Sequence, residues 1–166
     1  MSFVRAKTVK GKKYGYLVEN YWKKNKVKQK VKRYLGRIIE ISEYVKDIED
    51  PIIEKSEKIK DSMRKLIIHE FLKRDFKQKL LTLSYDSLKI NLSRNKIINS
   101  DKDVVILINN RYIYGGMLRD LQIFYEPEAE DDIKGKKLAT ALSDCGISIS
   151  KENFIQLYKN IYINKQ

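Results

Sequence analysis

Apolar and basic residues alternate along residues 27–35, which read Val-Lys-Gln-Lys-Val-Lys-Arg-Tyr-Leu. Successive side chains of a β-strand point to opposite faces, so a strand here separates the valines from the lysines, whereas a helix would mix them. Residues 14–22 are rich in aromatic and β-branched residues and predict a second strand. Between the two strands, Asn25 suits the positive φ of a tight turn. The pattern predicts an antiparallel hairpin.

The register of this hairpin follows from its two faces, because a slip of one residue would mix apolar and basic side chains on both. One face is mainly apolar and is predicted to pair Trp22 with Val27, Val18 with Val31, Tyr16 with Arg33 and Tyr14 with Leu35. The other face is mainly basic and is predicted to pair Tyr21 with Lys28, Glu19 with Lys30 and Leu17 with Lys32. We expect the aromatic residues of the apolar face to pack in the core.

A third strand is predicted ahead of this hairpin, with its turn at Lys10-Gly11-Lys12. Gly11 suits the left-handed position of a three-residue loop. Such a loop adds Arg5 and Lys7 to the basic face and sets Val4, Ala6 and Thr8 beside the apolar face. A two-residue loop would send Arg5 and Lys7 to the apolar face instead. We expect the three-residue loop.

A long amphipathic helix is predicted after a transition over residues 38–50. Pro51 suits the first position of a helix. From there to about Phe76, apolar residues recur on one stripe: Ile52, Ile59, Met63, Leu66, Ile67 and Phe71. This helix is expected to cover either the apolar face of the sheet or the second half of the chain.

The second half of the chain predicts further strands and then two helices. Short β-like runs at residues 80–85 and 88–92 precede a hairpin over residues 104–114, which turns at Asn109-Asn110 and is ended by Gly115-Gly116. Helices are expected at about residues 133–145, ended by Gly146, and at about residues 151–162, capped by Ser150.

The predicted fold class is α+β. It comprises an N-terminal three-stranded antiparallel meander, a long amphipathic helix, a second β-hairpin region and a C-terminal helix pair. Residues 1–40 are interpreted as a basic sheet module and residues 41–166 as a scaffold or partner-binding region; one continuous domain is the alternative.

Positive charge is concentrated at the N-terminus. The chain has a formal net charge of +13, and residues 1–37 contain 13 of its 35 lysines and arginines but a single acid, Glu19. A concentrated basic patch indicates a polyanionic partner such as DNA or RNA. The alternative is a solubilising charged tail, and the regular spacing of the apolar residues argues against it.

The same block carries a string of residues: Phe3-Val4-Arg5, Gly11-Lys12, Tyr14, Tyr16-Leu17-Val18-Glu19-Asn20-Tyr21, Val27-Lys28-Gln29 and Leu35-Gly36. This string resembles the N-terminal segment of insertion-sequence transposases and of small stand-alone archaeal and bacterial proteins. The resemblance covers about residues 3–37 of 166 and implies a part that handles nucleic acid. It does not imply transposition, because nothing after residue 40 resembles the transposase catalytic domain.

The basic face is the predicted binding surface. Lysines two apart on a strand stand roughly 7 Å apart, comparable to the phosphate spacing along one DNA strand. Exposed tyrosines can stack on unpaired bases. The predicted nucleic-acid-binding residues are Arg5, Lys7, Lys12, Lys13, Tyr21, Lys24, Lys28, Lys30, Lys32 and Tyr34.

No catalytic residue, metal site or cofactor is predicted. His69 is the single histidine and Cys145 the single cysteine, so neither a Cys/His metal cluster nor an internal disulfide can form. Cys145 is interpreted as a buried small residue. No apolar run approaches the roughly 20 residues that a membrane span needs. We expect a cytoplasmic protein that does not enter a membrane.

Two other functions stay open. A small metal-dependent nuclease or recombinase relative would use Asp101, Asp103 and some of the acidic residues 126–132, which otherwise form a solvated loop ahead of a helix. An RNA- or ribosome-associated adaptor would set the basic sheet on RNA and use residues 41–166 to bind a protein. Phosphate contacts do not separate DNA from RNA.

Overall fold

The computed structural model describes residues 2–24, 26–124 and 131–163, and this part of the chain is α+β, as predicted. The strands are β1 (Ser2–Val9), β2 (Lys12–Lys23), β3 (Lys26–Glu40), β4 (Lys77–Lys79), β5 (Thr82–Tyr85), β6 (Leu88–Asn91), β7 (Lys96–Asn99), β8 (Lys102–Ile108) and β9 (Arg111–Ile113). The helices are α1 (Ile59–Leu72), α2 (Gly115–Gln122), α3 (Asp131–Asp144) and α4 (Lys151–Tyr158), which continues as a π-helical turn, Lys159–Ile163. Asn25 and the acidic residues 126–130, both named in the predictions, lie outside the described residues.

The strands form one mixed sheet in the order β1-β2-β3-β8-β7-β6-β5-β4, with β9 paired to β8 beside this path. β1, β2 and β3 are antiparallel neighbours in chain order, but they are not a sheet of their own. β3 also pairs in parallel with β8, from Arg37 opposite Val104 to Glu40 opposite Leu107. This pairing joins residues on both sides of the predicted boundary at residue 40, and the division into two domains stays a prediction.

Two β-bulges change the predicted register between β2 and β3. Near the hairpin tip the predicted pairs are present: Trp22–Val27, Tyr21–Lys28, Glu19–Lys30 and Val18–Val31. Nearer the body the observed pairs are Leu17–Arg33, Tyr16–Tyr34 and Tyr14–Arg37. The predictions that paired these three β2 residues with Lys32, Arg33 and Leu35 are therefore wrong. Each bulge adds one residue to β3 and changes the face that the following side chains occupy.

The turn between β1 and β2 has two residues rather than three. Lys10 and Gly11 alone form it, with φ of 49° and 74°. A two-residue turn with positive φ at both positions matches the twist of the flanking strands. It sets Arg5 opposite Tyr16 and places Lys7 on the same side. The prediction that Arg5 and Lys7 join the basic face is therefore wrong.

α1 packs on the second half of the chain, which is one of the two predicted partners of this helix. Its buried residues Met63, Leu66, Ile67 and Phe71 belong to the main hydrophobic core. The strands contribute Leu83, Leu88, Ile90, Ile97, Val104, Ile106, Ile108 and Ile113 to this core. A second, smaller cluster joins Leu35, Ile38 and Val105 with the partly buried Val4 and Leu17.

The observed helix α1 is shorter than the predicted one, because it begins at Ile59 and not at Pro51. Ile53 is buried but Ile52 is 78% exposed, which breaks the predicted stripe. Two side chains near the C-terminus explain the extended form of residues 51–56. Asn153 and Asn160 each donate to a carbonyl of this segment and each accept from one of its amides, at 2.8–3.3 Å. Backbone groups satisfied in this way do not need a helix.

A buried charged network joins the end of α1 to the β8–β9 turn and to the loop after α3. Arg74 donates to Glu70 Oε1 at 2.5 Å and to Asn109 Oδ1 at 2.7 Å. Glu70 Oε2 accepts from the hydroxyl and the amide of Ser148 at 2.5 and 3.1 Å. Burial alone would raise the pKa of Glu70, but the bonds from Ser148 and Arg74 outweigh it and hold the pKa below its ordinary value. The carboxylate is thus satisfied inside the fold.

The two C-terminal helices lie close to their predicted positions. Ser150 caps α4 by accepting from Asn153 N at 3.4 Å, and Gly146 follows α3 with a φ of 61°. None of the described helices is long and apolar enough to cross a membrane.

Candidate nucleic-acid interface

β1, β2 and the first part of β3 form an arm, residues 2–24 and 26–36, that extends from the body of the protein. β8 pairs with β3 only from Arg37 to Glu40, so the outer edge of residues 26–36 has no strand partner in the described chain. All described residues from Asn20 to Tyr34 are exposed. Both faces of the arm are accessible to a ligand over this length.

One face of the arm, here named the lysine face, is formed by Tyr21, Lys23, Lys26, Lys28, Lys30 and Lys32. Glu19 lies among them as the single acid of residues 1–37. The Nζ of Lys32 is 2.8 Å from the Glu19 carboxylate, and this bond lowers the pKa of Glu19. The other four lysines have no carboxylate within 4.0 Å among the described residues. The lysine face therefore presents unneutralised charge to solvent.

At its inner end the arm borders a groove of about 550 Å³ that lies between arm and body. Four basic side chains line the groove: Arg33 of the arm, Arg94, Lys96 and Arg119. Arg119 pairs with the neighbouring Asp120 at 2.9 Å. The other three have no carboxylate within 4.0 Å in the part of the chain that the structure describes. Arg33 follows the lysines on β3, so the groove continues the positive surface of the lysine face.

α2 begins at this groove, and its first residues, Gly115 and Gly116, line it. Within the described chain their amides have no hydrogen-bond acceptor. A Cβ at position 115 would lie 2.1 Å from Asn95 O, so only glycine permits this close approach of the helix to the β6–β7 turn. The Arg33 guanidinium reaches the same region and lies 5.8 Å from the centre of the Tyr114 ring. Free amides at a helix N-terminus favour an anion.

The opposite face of the arm, here named the aromatic face, carries Phe3, Tyr14, Tyr16, Trp22, Val27, Val31 and Tyr34. The prediction that its aromatic residues pack in the core is wrong for the outer part of the face. Trp22 is 76%, Val31 60% and Tyr34 53% exposed, because α1 packs elsewhere. Nearer the body, the Tyr34 ring lies 6.3 Å from that of Tyr14 and 5.4 Å from that of Tyr16.

The structure divides the predicted binding residues between the two faces. The lysine side holds Tyr21, Lys28, Lys30, Lys32 and also Lys13, whose Nζ is 2.6 Å from Glu40. The aromatic face holds Arg5, Lys7, Lys12 and Tyr34. The two-residue turn moves Arg5 and Lys7, and the first bulge moves Tyr34, to that face. Lys24 lies at the hairpin tip with a φ of 52°.

Sequence reasoning missed the residues of the groove. Arg94, Lys96 and Arg119 are distant from Arg33 in sequence and lie near it only because β3 pairs with β8. Gly115-Gly116 ahead of a helix is the one sequence signal of an anion-binding N-terminus. From the sequence alone, the Gly115-Gly116 pair indicated only the end of a hairpin.

In the described part of the chain, no three His, Cys, Asp or Glu side chains are placed to hold a metal ion. Asp103 lines the groove, and residues 126–130 lie outside the residues that the structure describes. The nuclease alternative therefore stays a prediction. Cys145 is buried, as predicted, and burial raises its pKa to about 12, which keeps the thiol uncharged at neutral pH. His69 is also buried, with Nε2 3.7 Å from the Asp50 carboxylate.

Comparison of the chain with protein-family models, with curated proteins and with solved structures gave no match. The resemblance of residues 3–37 to the N-terminal segment of transposases therefore stays a prediction. The chemistry of the chain's own surfaces is what supports a function.

Proposed function

We propose that this protein binds nucleic acid without catalysis, through the lysine face of the arm and the groove at its inner end. The observation that carries the proposal is that the positive surface of the lysine face continues into the groove. Within the described chain, four exposed lysines of the arm have no carboxylate partner: Lys26, Lys28 and Lys30 alternate along β3, and Lys23 lies opposite Lys26. Three further cations without such partners line the groove that follows.

The row of lysines has the spacing that a phosphate backbone requires. Alternate residues on β3 stand about 7 Å apart on one face, close to the distance between successive phosphates of one strand. Such a row contributes little to folding, since exposed lysines typically affect stability by less than about 0.5 kcal/mol each. Its charge is therefore explained better by a polyanionic ligand than by the fold.

The groove adds groups that favour phosphate in a confined place. Arginine guanidinium groups bind phosphate oxygens with two parallel N–H bonds, and the free amides of Gly115 and Gly116 can donate to the same oxygens. Arg33 stands about 17 Å along β3 from Lys28, at about 3.3 Å per residue, so a ligand of a few nucleotides spans both. We propose one binding path from the hairpin tip to α2.

Competition between DNA and RNA ligands tests this proposal. Fluorescence anisotropy at one fixed salt concentration compares duplex DNA, single-stranded DNA and structured RNA. The triple variant Lys28→Gln, Lys30→Gln, Lys32→Gln should weaken binding of every ligand by at least about tenfold, since phosphate contacts are independent of sequence. Its thermal midpoint should stay near that of the parent, because all three side chains are exposed.

The matched control removes the same charge from the far end of the strand order. Lys77, Lys79 and Lys89 are exposed residues of β4 and β6, and their replacement by glutamine should change affinity little. Equal losses of affinity in both triple variants would mean that net charge, and not the position of the lysines, determines binding. Unchanged affinity in the arm variant would exclude the lysine face as the site. A protein partner for residues 41–166 and a cytoplasmic location are further proposals that this experiment leaves aside.

A further inference from the structure

The aromatic face has no role in the phosphate contacts proposed above. We infer that it stacks on unpaired bases, so that the preferred ligand contains a single-stranded segment. This inference rests on the proposed function and names the class of nucleic acid that the arm takes.

The apolar side chains of this face lie in neighbouring rows, and most of them are exposed. Trp22 lies opposite Val27, and the polar pair Asn20–Gln29 follows on the same face. The row after it sets Phe3, Val18 and Val31 side by side on three strands. Val18 is buried within this row, while the residues around it are open to solvent. An exposed apolar strip of this kind, interspersed with polar residues, indicates a binding surface. Trp22 and Phe3 provide the strip with planar rings, and a ring can stack on any base regardless of sequence.

Charge indicates which ligand covers the strip. Arg5, Lys7 and Lys12 stand on the same face, and no described side chain of the arm contributes a carboxylate to it. The Arg5 guanidinium is already held at 2.6 Å by Gln29 Oε1, a neutral partner that leaves its charge in place. A second copy seated on this face would bring two sets of cations together, which is unfavourable. A polyanion with planar apolar groups satisfies both the charges and the rings.

The outer edge of β3 connects the two faces. Residues 26–36 have no strand partner there in the described chain, so a single strand that follows this edge meets lysines on one side and valines and rings on the other. Its phosphates can lie against the lysine face while its bases turn onto the aromatic face. A duplex keeps its bases paired and stacked on each other and gains only the first set of contacts.

Trp22 is the only tryptophan of the chain, so its fluorescence reports on this face directly. The full-length protein is titrated at one salt concentration with short oligo-dT and, separately, with a duplex of similar length. Base stacking should quench the Trp22 emission with oligo-dT and leave it nearly unchanged with the duplex. Quenching of similar depth with both ligands, or binding of oligo-dT without quenching, would overturn the inference.

Substitution separates stacking from folding. Trp22→Ala should weaken oligo-dT binding about tenfold and leave duplex affinity unchanged, since stacking on one base accounts for a loss of that order. Trp22→Phe should retain most of the affinity, because it keeps a ring. Leu80→Ala removes an equally exposed apolar side chain from the body and should change neither affinity. An unchanged oligo-dT affinity in Trp22→Ala would overturn the inference.

Two further results are decisive, and they are distinguishable. If neither oligonucleotide binds, the proposed function fails and the inference fails with it. If duplex binding depends on Lys28, Lys30 and Lys32 while Trp22 has no effect, the proposed function stands and the stacking role is excluded. Sedimentation of the free protein tests the second-copy alternative, and self-association that Val31→Asp abolishes would assign the aromatic face to an interface between copies.

Discussion

Gly36 is the residue on which the junction between arm and body depends. Its φ is +113°, and a Cβ at this position would lie 2.0 Å from the carbonyl oxygen of Asp103 on β8. A side chain is therefore excluded both by the backbone conformation and by the neighbouring strand. Gly36 follows the second bulge, at which the buried Leu35 enters the smaller cluster. The local geometry thus lets one strand serve both the arm and the core.

Gly36→Ala should lower the free energy of unfolding by at least about 2 kcal/mol, because the backbone must leave its native conformation or push β8 away. Denaturant titration followed by circular dichroism measures this loss. Gly135→Ala is the control within α3, where the nearest atom to the new Cβ lies at 3.8 Å and φ is ordinary. That change should stabilise the protein by roughly 0.5–1 kcal/mol through helix propensity. A tolerated Gly36→Ala would contradict the close approach of β3 to β8.

Glu70 makes stability depend on pH. Its pKa lies below the ordinary value of 4.5 because the bonds from Ser148 and Arg74 outweigh burial. A carboxyl group with a depressed pKa contributes stability that is present above the unfolded pKa and is lost as pH falls through the folded pKa. Glu70→Gln should cost about 3–5 kcal/mol at neutral pH, because it leaves the buried Arg74 without its counter-charge.

Unfolding free energies of parent and Glu70→Gln, measured from neutral pH downwards, test this assignment. The difference between the two proteins should shrink as pH falls below the ordinary value of 4.5, because the unfolded parent then takes up a proton while the folded parent keeps Glu70 charged down to its lower pKa. Glu152, an exposed residue of α4, provides the control, and Glu152→Gln should give a small difference at every pH. A gap that stays constant down to strongly acidic pH would contradict a paired Glu70.

Elements that depend on local pattern were predictable, and elements that depend on distant partners were not. The strands of the arm follow from alternation, and α1 and α4 from apolar stripes and a serine cap. The start of α1 was wrong because Asn153 and Asn160, about one hundred residues away, bind the backbone of residues 51–56. A sequence pattern contains no signal of that contact. The prediction of a three-residue turn was wrong because Lys10 adopts a positive φ, a conformation that a lysine in the sequence does not indicate.

Asn160→Ala should destabilise the protein by about 2 kcal/mol, since it leaves Ser56 N and Glu54 O without their partner in a partly buried place. Thermal unfolding measures the loss, and hydrogen exchange should show faster exchange at residues 51–56 in the variant. Lys159→Ala changes the exposed neighbour and should be nearly neutral. Equal exchange rates in parent and Asn160→Ala would show that the segment is held by other contacts.

At the scale of the whole molecule, the order of the strands in the sheet decides which basic residues lie near one another. The concentration of lysines at the N-terminus was visible in the sequence, but the groove was not, because it assembles from β3, the β6–β7 turn and α2. The faces of the outer arm were predicted correctly where the register was local, from Trp22 to Val18. The elements that cover each face were not predicted correctly, because this depends on where α1 packs.

Duplex binding should be steeply dependent on salt. Seven cations along the path lack carboxylate partners in the described chain: Lys23, Lys26, Lys28, Lys30, Arg33, Arg94 and Lys96. If all seven neutralise phosphates, the logarithm of the affinity should fall against the logarithm of salt concentration with a slope of about −6. The double variant Arg94→Ala, Lys96→Ala should reduce this slope by about two units. A slope near zero in the parent would remove the electrostatic basis of the proposal.

The open edge of β3 also bears on the solubility of the protein. An unpaired strand edge is a template for pairing with another chain, and closely spaced lysines are a common protection against it. A ligand that neutralises Lys26, Lys28 and Lys30 removes this protection at the moment of binding, unless the ligand itself covers the edge. The protein should therefore stay dispersed when each arm is fully occupied and should form aggregates when short polyanions neutralise the lysines without shielding the strand.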